Sequence, residues 1–203
     1  MLYSRNHDNL IEPEADVAGT ITLIIILIVA AILIIWFVGI YNKLVGYRNR
    51  VDTDWAGIDV QLKRRYDLIP NLVETVKGYA AHERETLEKV VRARQLAIDA
   101  KTVKDQGEAE NMITGALKSI FALAEAYPDL KANQNFLQLQ GQLSEIEGFI
   151  SQSREKYNES VLNYNNVVQM FPSNIVAGIS GFGLREFFEI VSPEMREAPK
   201  VQF

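Results

Sequence analysis

No cysteine occurs anywhere in the 203 residues, which excludes disulfides, thiolate catalysis and any Cys-ligated zinc. Histidine is nearly as scarce, with His7 and His82 the two present. His82-Glu83 begins as a zinc-protease helix motif begins, but that motif needs a second His four residues on, where Thr86 stands. A Gly-x-Ser-x-Gly elbow is missing. GFGLRE from Gly181 lacks both a third glycine and the Lys-Ser/Thr pair of a phosphate loop. Carboxylates are plentiful, but among neighbouring Lys and Arg on helices they form ordinary surface pairs. The sequence therefore offers no catalytic residue set, no metal site, no cofactor site and no evident small-molecule substrate. Excess positive charge is lacking too: 21 Lys and Arg against 26 Asp and Glu leave a net charge of −5. That balance argues against nucleic-acid binding.

Charge is missing altogether between Asp16 and Lys43, and Ile21 to Ile40 is apolar but for Thr22. About 20 such residues in helix span roughly 30 Å, the thickness of a bilayer's hydrocarbon core. A cleaved signal peptide has a basic leader and a shorter apolar stretch. Here the preceding residues are acidic (Asp8, Glu12, Glu14 and Asp16 against Arg5), and the run ends in bulky Trp36, Phe37, Ile40 and Tyr41. The expected organisation is an acidic arm over residues 1–17, an uncleaved transmembrane anchor over 18–42, a helical domain over 43–172 and a tail over 173–203. Trp36, Tyr41, Lys43, Arg48 and Arg50 would mark the membrane interface. More Lys and Arg flank the carboxy-terminal side of the span. Positive-inside logic thus places the N-terminus outside and the large domain in the cytoplasm.

From Val51 the chain repeats apolar positions at helical steps: Val51, Trp55, Ile58, Leu62, Ile69, Leu72 and Val76. Leu87, Val90 and Ala97 continue the pattern before KTVKDQGEAEN, read as a loop around Asp105 to Gly107. A third helix is expected from Glu108 to Tyr127. A fourth, long one runs from about Phe136 to the stop at Phe171-Pro172. Pro70 admits two readings. Heptad phase survives across it, as in a kinked rod, but a continuous helix from Leu44 to Lys101 would be roughly 85 Å long with too few partners. A turn at Leu68 to Pro70 is the preferred reading. The predicted fold is all-α: one transmembrane helix, then an up-and-down antiparallel four-helix bundle and an irregular tail.

Arg65 stands in the apolar seam, where an unpaired guanidinium would cost several kcal/mol. Glu145 and Glu147 are its expected partners, in a buried pair that fixes helix register or, alternatively, in a site for an acidic ligand. The KRR triplet at Lys63 to Arg65 tempts a lipid-binding reading, but it lies roughly 35 Å beyond Ile40, far outside a Debye length. In the tail, glycines break periodicity while Phe182, Phe187, Phe188 and Phe203 are large and apolar. The tail is expected to pack over the bundle's grooves, or else to contact lipid or a partner. Tyr157, Asn158, Tyr164, Asn165 and Asn166 offer polar contacts, either within one bundle or between subunits.

The stretch YNKLVGYRNRVDTDWAGIDVQLKRRYDLIPNLVETVKGYAAHERE, Tyr41 to Glu85, resembles the signature of the LemA family of bacterial membrane proteins. YPDLKANQNFLQLQ from Tyr127, REKYNESVLNYNN from Arg154, FPSNIVAG from Phe171 and the closing PKVQF are similar as well. The acidic arm departs from the short basic leader of many relatives. The resemblance implies an N-terminal anchor, a bundle of long antiparallel helices and no agreed enzymatic activity. Together these readings point to a non-enzymatic scaffold in the bacterial inner membrane, with the lipid bilayer, further copies of itself and other membrane proteins as partners. A membrane-shaping or lipid-sensing protein, acting through the aromatic tail and the juxtamembrane bases, is the alternative.

Overall fold

The computed structural model describes residues 12–189. The arm up to residue 11, His7 included, and the tail beyond Glu189, with PKVQF and Phe203, lie outside the described residues. Six helices and no strand occur among those described: α1 (Glu12–Lys77), α2 (Arg84–Asp99), α3 (Val103–Glu125), α4 (Pro128–Lys131), α5 (Gln134–Gln169) and α6 (Ser173–Ser180).

The all-α expectation holds, and Pro70 brings the main correction. The chain does not turn at Leu68 to Pro70; α1 continues through the proline as one 66-residue helix, about 100 Å long. Pro70 has no N–H to give the carbonyl of Tyr66 four residues earlier. Arg94 on α2 fills that vacancy, its Nε donating to the Tyr66 carbonyl at 2.8 Å. The ring of Pro70 itself faces solvent. The turn falls instead at residues 78–83, which carry exposed His82.

A second correction concerns Asp105 to Gly107, which lie inside α3 rather than in a loop. Thr102 accepts from the Asp105 amide at 3.0 Å and starts that helix early. Asn133 caps α5 in the same way, accepting from the Phe136 amide at 3.0 Å. Short connections make successive long helices antiparallel.

Packing divides the bundle unequally. α1 packs chiefly on α5, and α2 chiefly on α3. Val51, Ile58, Leu62, Ile69, Leu72 and Val76 of α1 are buried, as are Leu139, Leu143, Ile146, Ile150, Val161 and Tyr164 of α5. The 16-residue α2 reaches only about 24 Å, whereas α5, with 36 residues, reaches about 54 Å. The α2/α3 hairpin therefore covers only the half of the α1/α5 pair far from the apolar run. The near half is closed by α6 and by residues 182–189, which run back as an extended strap. Gly181, at φ 72°, makes that reversal in the left-handed region open to glycine.

Among the described residues, one helix is long and apolar enough to cross a membrane: the apolar part of α1, with a mean hydropathy of 3.4 and none of that window buried. A helix suits lipid because it satisfies its own backbone polar groups. Leu44 is the first fully buried side chain after it.

Candidate functional site

Three polar arrangements hold the bundle together. The first centres on Arg65, which is buried as its seam position requires. Its Nη1 lies 3.0 Å from Glu110 Oε2 and 3.0 Å from Glu147 Oε2. Its Nη2 donates to Thr114 Oγ1 at 2.9 Å. Glu147 thus meets Arg65, while Glu145 faces another groove, beside Arg64 and Asp67. Glu110, fully buried on α3, also accepts from the Tyr66 hydroxyl and from Gln106 Nε2 at 3.2 Å. Burial pushes the Glu110 carboxyl above its ordinary value, and the bonds from Tyr66, Arg65 and Gln106 only partly offset this. Burial and the neighbouring Glu110 raise the Tyr66 phenol as well. The cluster joins α1, α3 and α5 at one level, so sliding any of these helices would strand a charge.

The second arrangement sits nearer the apolar run. Asp54 is buried and bound by Arg50 Nε at 3.1 Å, Lys156 Nζ at 3.3 Å and the Ser160 hydroxyl. Burial alone would raise its carboxyl, but these three donors hold it below the ordinary value. Arg50, expected at the membrane interface, pairs with Asp54 while its own side chain stays largely exposed. Lys43 lies over the Tyr47 ring at 6.0 Å, and Arg48 over Phe182 at 5.2 Å.

The third arrangement is the strap. Asn165 Nδ2 donates to the Arg185 carbonyl at 2.9 Å, and Asn165 Oδ1 accepts from the Arg185 amide at 2.9 Å. Asn158 grips Phe188 in the same two-bond manner, at 3.1 and 2.8 Å. The hydroxyls of Tyr164 and Tyr157 donate to the carbonyls of Gly183 and Glu186, both at 2.9 Å. These two Tyr-Asn pairs are seven residues apart on α5, so they share one face and read backbone rather than side chains. Arg185 adds an ion pair to Asp52 at 2.8 Å. At the strap's end, Gly107 on α3 passes so close that a Cβ there would lie 2.5 Å from the Glu189 carbonyl oxygen.

The tail aromatics follow from this arrangement. Phe182 and Phe188 are buried, in line with the tail packing over the bundle's grooves and against their alternative role as lipid or partner contacts. Phe182 meets the Tyr41 ring edge-on at 5.6 Å. Phe188 packs on Trp55 at 5.7 Å, and Trp55 on Tyr157 at 5.3 Å. Phe187 alone of the three points outward. Trp36 is exposed on the apolar run, and Tyr41, although in contact with Phe182, remains partly exposed. No group of three or more His, Cys, Asp and Glu side chains able to hold a metal occurs among the described residues. Sequence reasoning missed Glu110, Tyr66 and Asp54 as buried polar positions. The one signal for them was a polar residue at a spacing that an apolar residue would otherwise fill.

A long apolar helix continuing directly into a bundle closed by buried ion pairs and a side-chain-pinned strap defines a helical protein with a candidate membrane anchor. The sequence profile of the LemA family matches residues 54–203, and the chain belongs to that family. It is 29% identical over 145 residues to Protein LemA of Metamycoplasma hominis, covering 70% of this chain and 65% of that protein. It is 24% identical over 175 residues to Magnetosome protein MamQ 2 of Paramagnetospirillum magneticum, covering 73% of this chain and 64% of the relative. Magnetosome protein MamQ of Magnetospirillum gryphiswaldense is 23% identical over 174 residues, with the same coverage of 73% and 64%. The chain thus spans slightly less than two thirds of the length of these curated relatives.

Proposed function

We propose that this protein is a non-enzymatic, single-pass membrane scaffold of the bacterial cell envelope, whose bundle self-associates or holds partner membrane proteins. The observation that carries this reading is the unbroken α1. A helix continuous from the apolar run into the core leaves no hinge, so the bundle is presented at a fixed distance from the bilayer. The charged clusters support it in a second way. Arg65, Glu110 and Asp54 spend their hydrogen-bonding capacity on one another and on neighbouring helices, so they serve register rather than turnover. Kinship with proteins of the magnetosome fits a role in building a cellular structure. In this reading α1 crosses the inner membrane with the bundle on the cytoplasmic side, following the flanking Lys and Arg.

The test is the assembly state of the full chain. Site-specific photocrosslinkers on exposed positions of α2 and α5, such as Val91 and Leu162, are activated in native membranes and the products sized. Discrete adducts to itself or to other membrane proteins are expected. A protein that stays monomeric in both detergent and membranes, with no adduct from either face, refutes scaffolding.

A further inference from the structure

We propose that the corner formed by the end of α5 and by α6 is a second membrane contact, seated in the lipid headgroup region beside the span. This rests on the reading of α1 as a membrane anchor and adds to it a site on a different element. Sequence and geometry converge on the corner independently.

No charged residue lies between Glu159 and Arg185, a stretch that contains the last part of α5, all of α6 and the reversal at Gly181. Such a stretch on the outside of a chain that carries 21 Lys and Arg and 26 Asp and Glu is out of keeping with water. α6 folds as a short helix with Val176 and Ala177 buried against the bundle. That leaves its other face outward. Met170, Phe171, Ile175 and Ile179 are 63, 79, 50 and 73% exposed and form one apolar prominence. Singly exposed apolar residues need no explanation, but a group on one uncharged corner marks a contact surface.

Position identifies the partner. α6 packs on α1 and α5, and Phe182, just after it, lies against Tyr41 at 5.6 Å. Tyr41 directly follows the apolar run. Phe37 and Ile40, within that run, are already partly buried against the core. The corner therefore stands at the level where α1 leaves hydrocarbon, and its prominence continues the apolar surface of the span. Lys43 and Arg48 flank it with positive charge suited to anionic headgroups. A short apolar helix face beside basic residues is the composition of an interfacial segment. The exposed apolar surface thus meets the bilayer that α1 already enters, without a second protein to cover it.

Because the chain has no native cysteine, single cysteines report position cleanly. Full-length Ile179→Cys, Phe171→Cys, Leu137→Cys and Ile28→Cys variants are labelled with an environment-sensitive fluorophore. Each is reconstituted into phosphatidylcholine–phosphatidylglycerol vesicles with or without spin-labelled phosphatidylcholine. The probes at 179 and 171 are expected to emit blue-shifted and to be quenched by shallow spin labels at least threefold more than the probe at 137, at the far end of α5. The probe at 28 is expected to be quenched by deep labels. If the probe at 28 is quenched while those at 179 and 171 match that at 137, this inference fails and the anchor stands. If the probe at 28 is unquenched, both fail. A blue shift at 179 without lipid quenching, lost when the protein is diluted in lipid, assigns the corner to a second copy and overturns the proposal.

Discussion

Replacing Arg94 with methionine should destabilise the bundle only as long as Pro70 is present. Pro70 leaves the Tyr66 carbonyl without its helical donor, and Arg94 Nε supplies one at 2.8 Å. Methionine keeps the aliphatic stem and removes the donor. Tyr66 is buried, so water is a poor substitute, and losing a charged donor to a buried carbonyl costs about 1.5–3 kcal/mol. Pro70→Ala restores the amide and relieves the ring clash. Because proline in an exposed helix interior costs about 3 kcal/mol relative to alanine, this change alone should stabilise the bundle by about 1–3 kcal/mol. In the Pro70→Ala background the restored backbone N–H serves the Tyr66 carbonyl, and Arg94→Met should then cost less than about 0.5 kcal/mol. A double-mutant cycle by urea denaturation of the full chain in mild detergent, followed by circular dichroism, measures the coupling, expected at about 1–3 kcal/mol. Equal costs of Arg94→Met in both backgrounds would refute this account of how α1 tolerates its proline.

Further predictions concern the other polar arrangements. Glu110 has a raised folded value, so its contribution is complete below the ordinary 4.5 and is lost as pH rises through the raised value; Glu110→Gln should flatten that decline in urea midpoint as pH rises above the ordinary value. Asp54 behaves oppositely: its contribution is present above the ordinary 3.8 and lost as pH falls through its lowered folded value, so Asp54→Asn should remove the acid-side loss. Gly107→Ala should push the strap off α3 while leaving the bundle folded, seen as faster hydrogen exchange at the Phe188 amide with unchanged protection in α5. Asn165→Ala, which breaks both bonds to Arg185, should speed exchange at the Arg185 amide about tenfold, equivalent to about 1.4 kcal/mol of local opening. For topology, a cysteine at exposed His82 should resist an impermeant thiol reagent in intact cells and react after permeabilisation; labelling in intact cells would place the bundle outside.

Patterns of burial could be read from sequence because each helix buries one stripe, and apolar spacing encodes that stripe directly. Val51 to Val76 and Phe136 to Tyr164 carry this signal over many turns. Arg65 was legible for the same reason, as a charge in an apolar row, and its carboxylate at Glu147 sits on the facing helix. Pro70 was misread because the group that makes it tolerable, Arg94, is 24 positions away and exerts no local signal. Asp105 to Gly107 looked like a loop by composition. Tertiary contact overrides composition there: Gln106 and Glu110 face inward to Tyr66, and Gly107 is small to let the strap pass. Asn158 and Asn165 were visible as polar residues on α5, but their partner is an irregular stretch whose path no periodicity reports. The strap's aromatics admitted two readings for a related reason. A phenylalanine in a glycine-rich segment carries no facing information until the backbone around it is fixed.

An α1 without a hinge makes the molecule a lever. Between Leu44 and Lys77 the rod extends about 50 Å beyond the apolar run, so a 10° change in tilt at the bilayer swings its far end by about 9 Å. Transmembrane helices adjust their tilt to hydrocarbon thickness. With α1 anchored in the bilayer as proposed, thinning or thickening of the lipid would be converted into sideways travel of the turn at residues 78–83, and in a self-associated scaffold the spacing of the tips would report bilayer thickness.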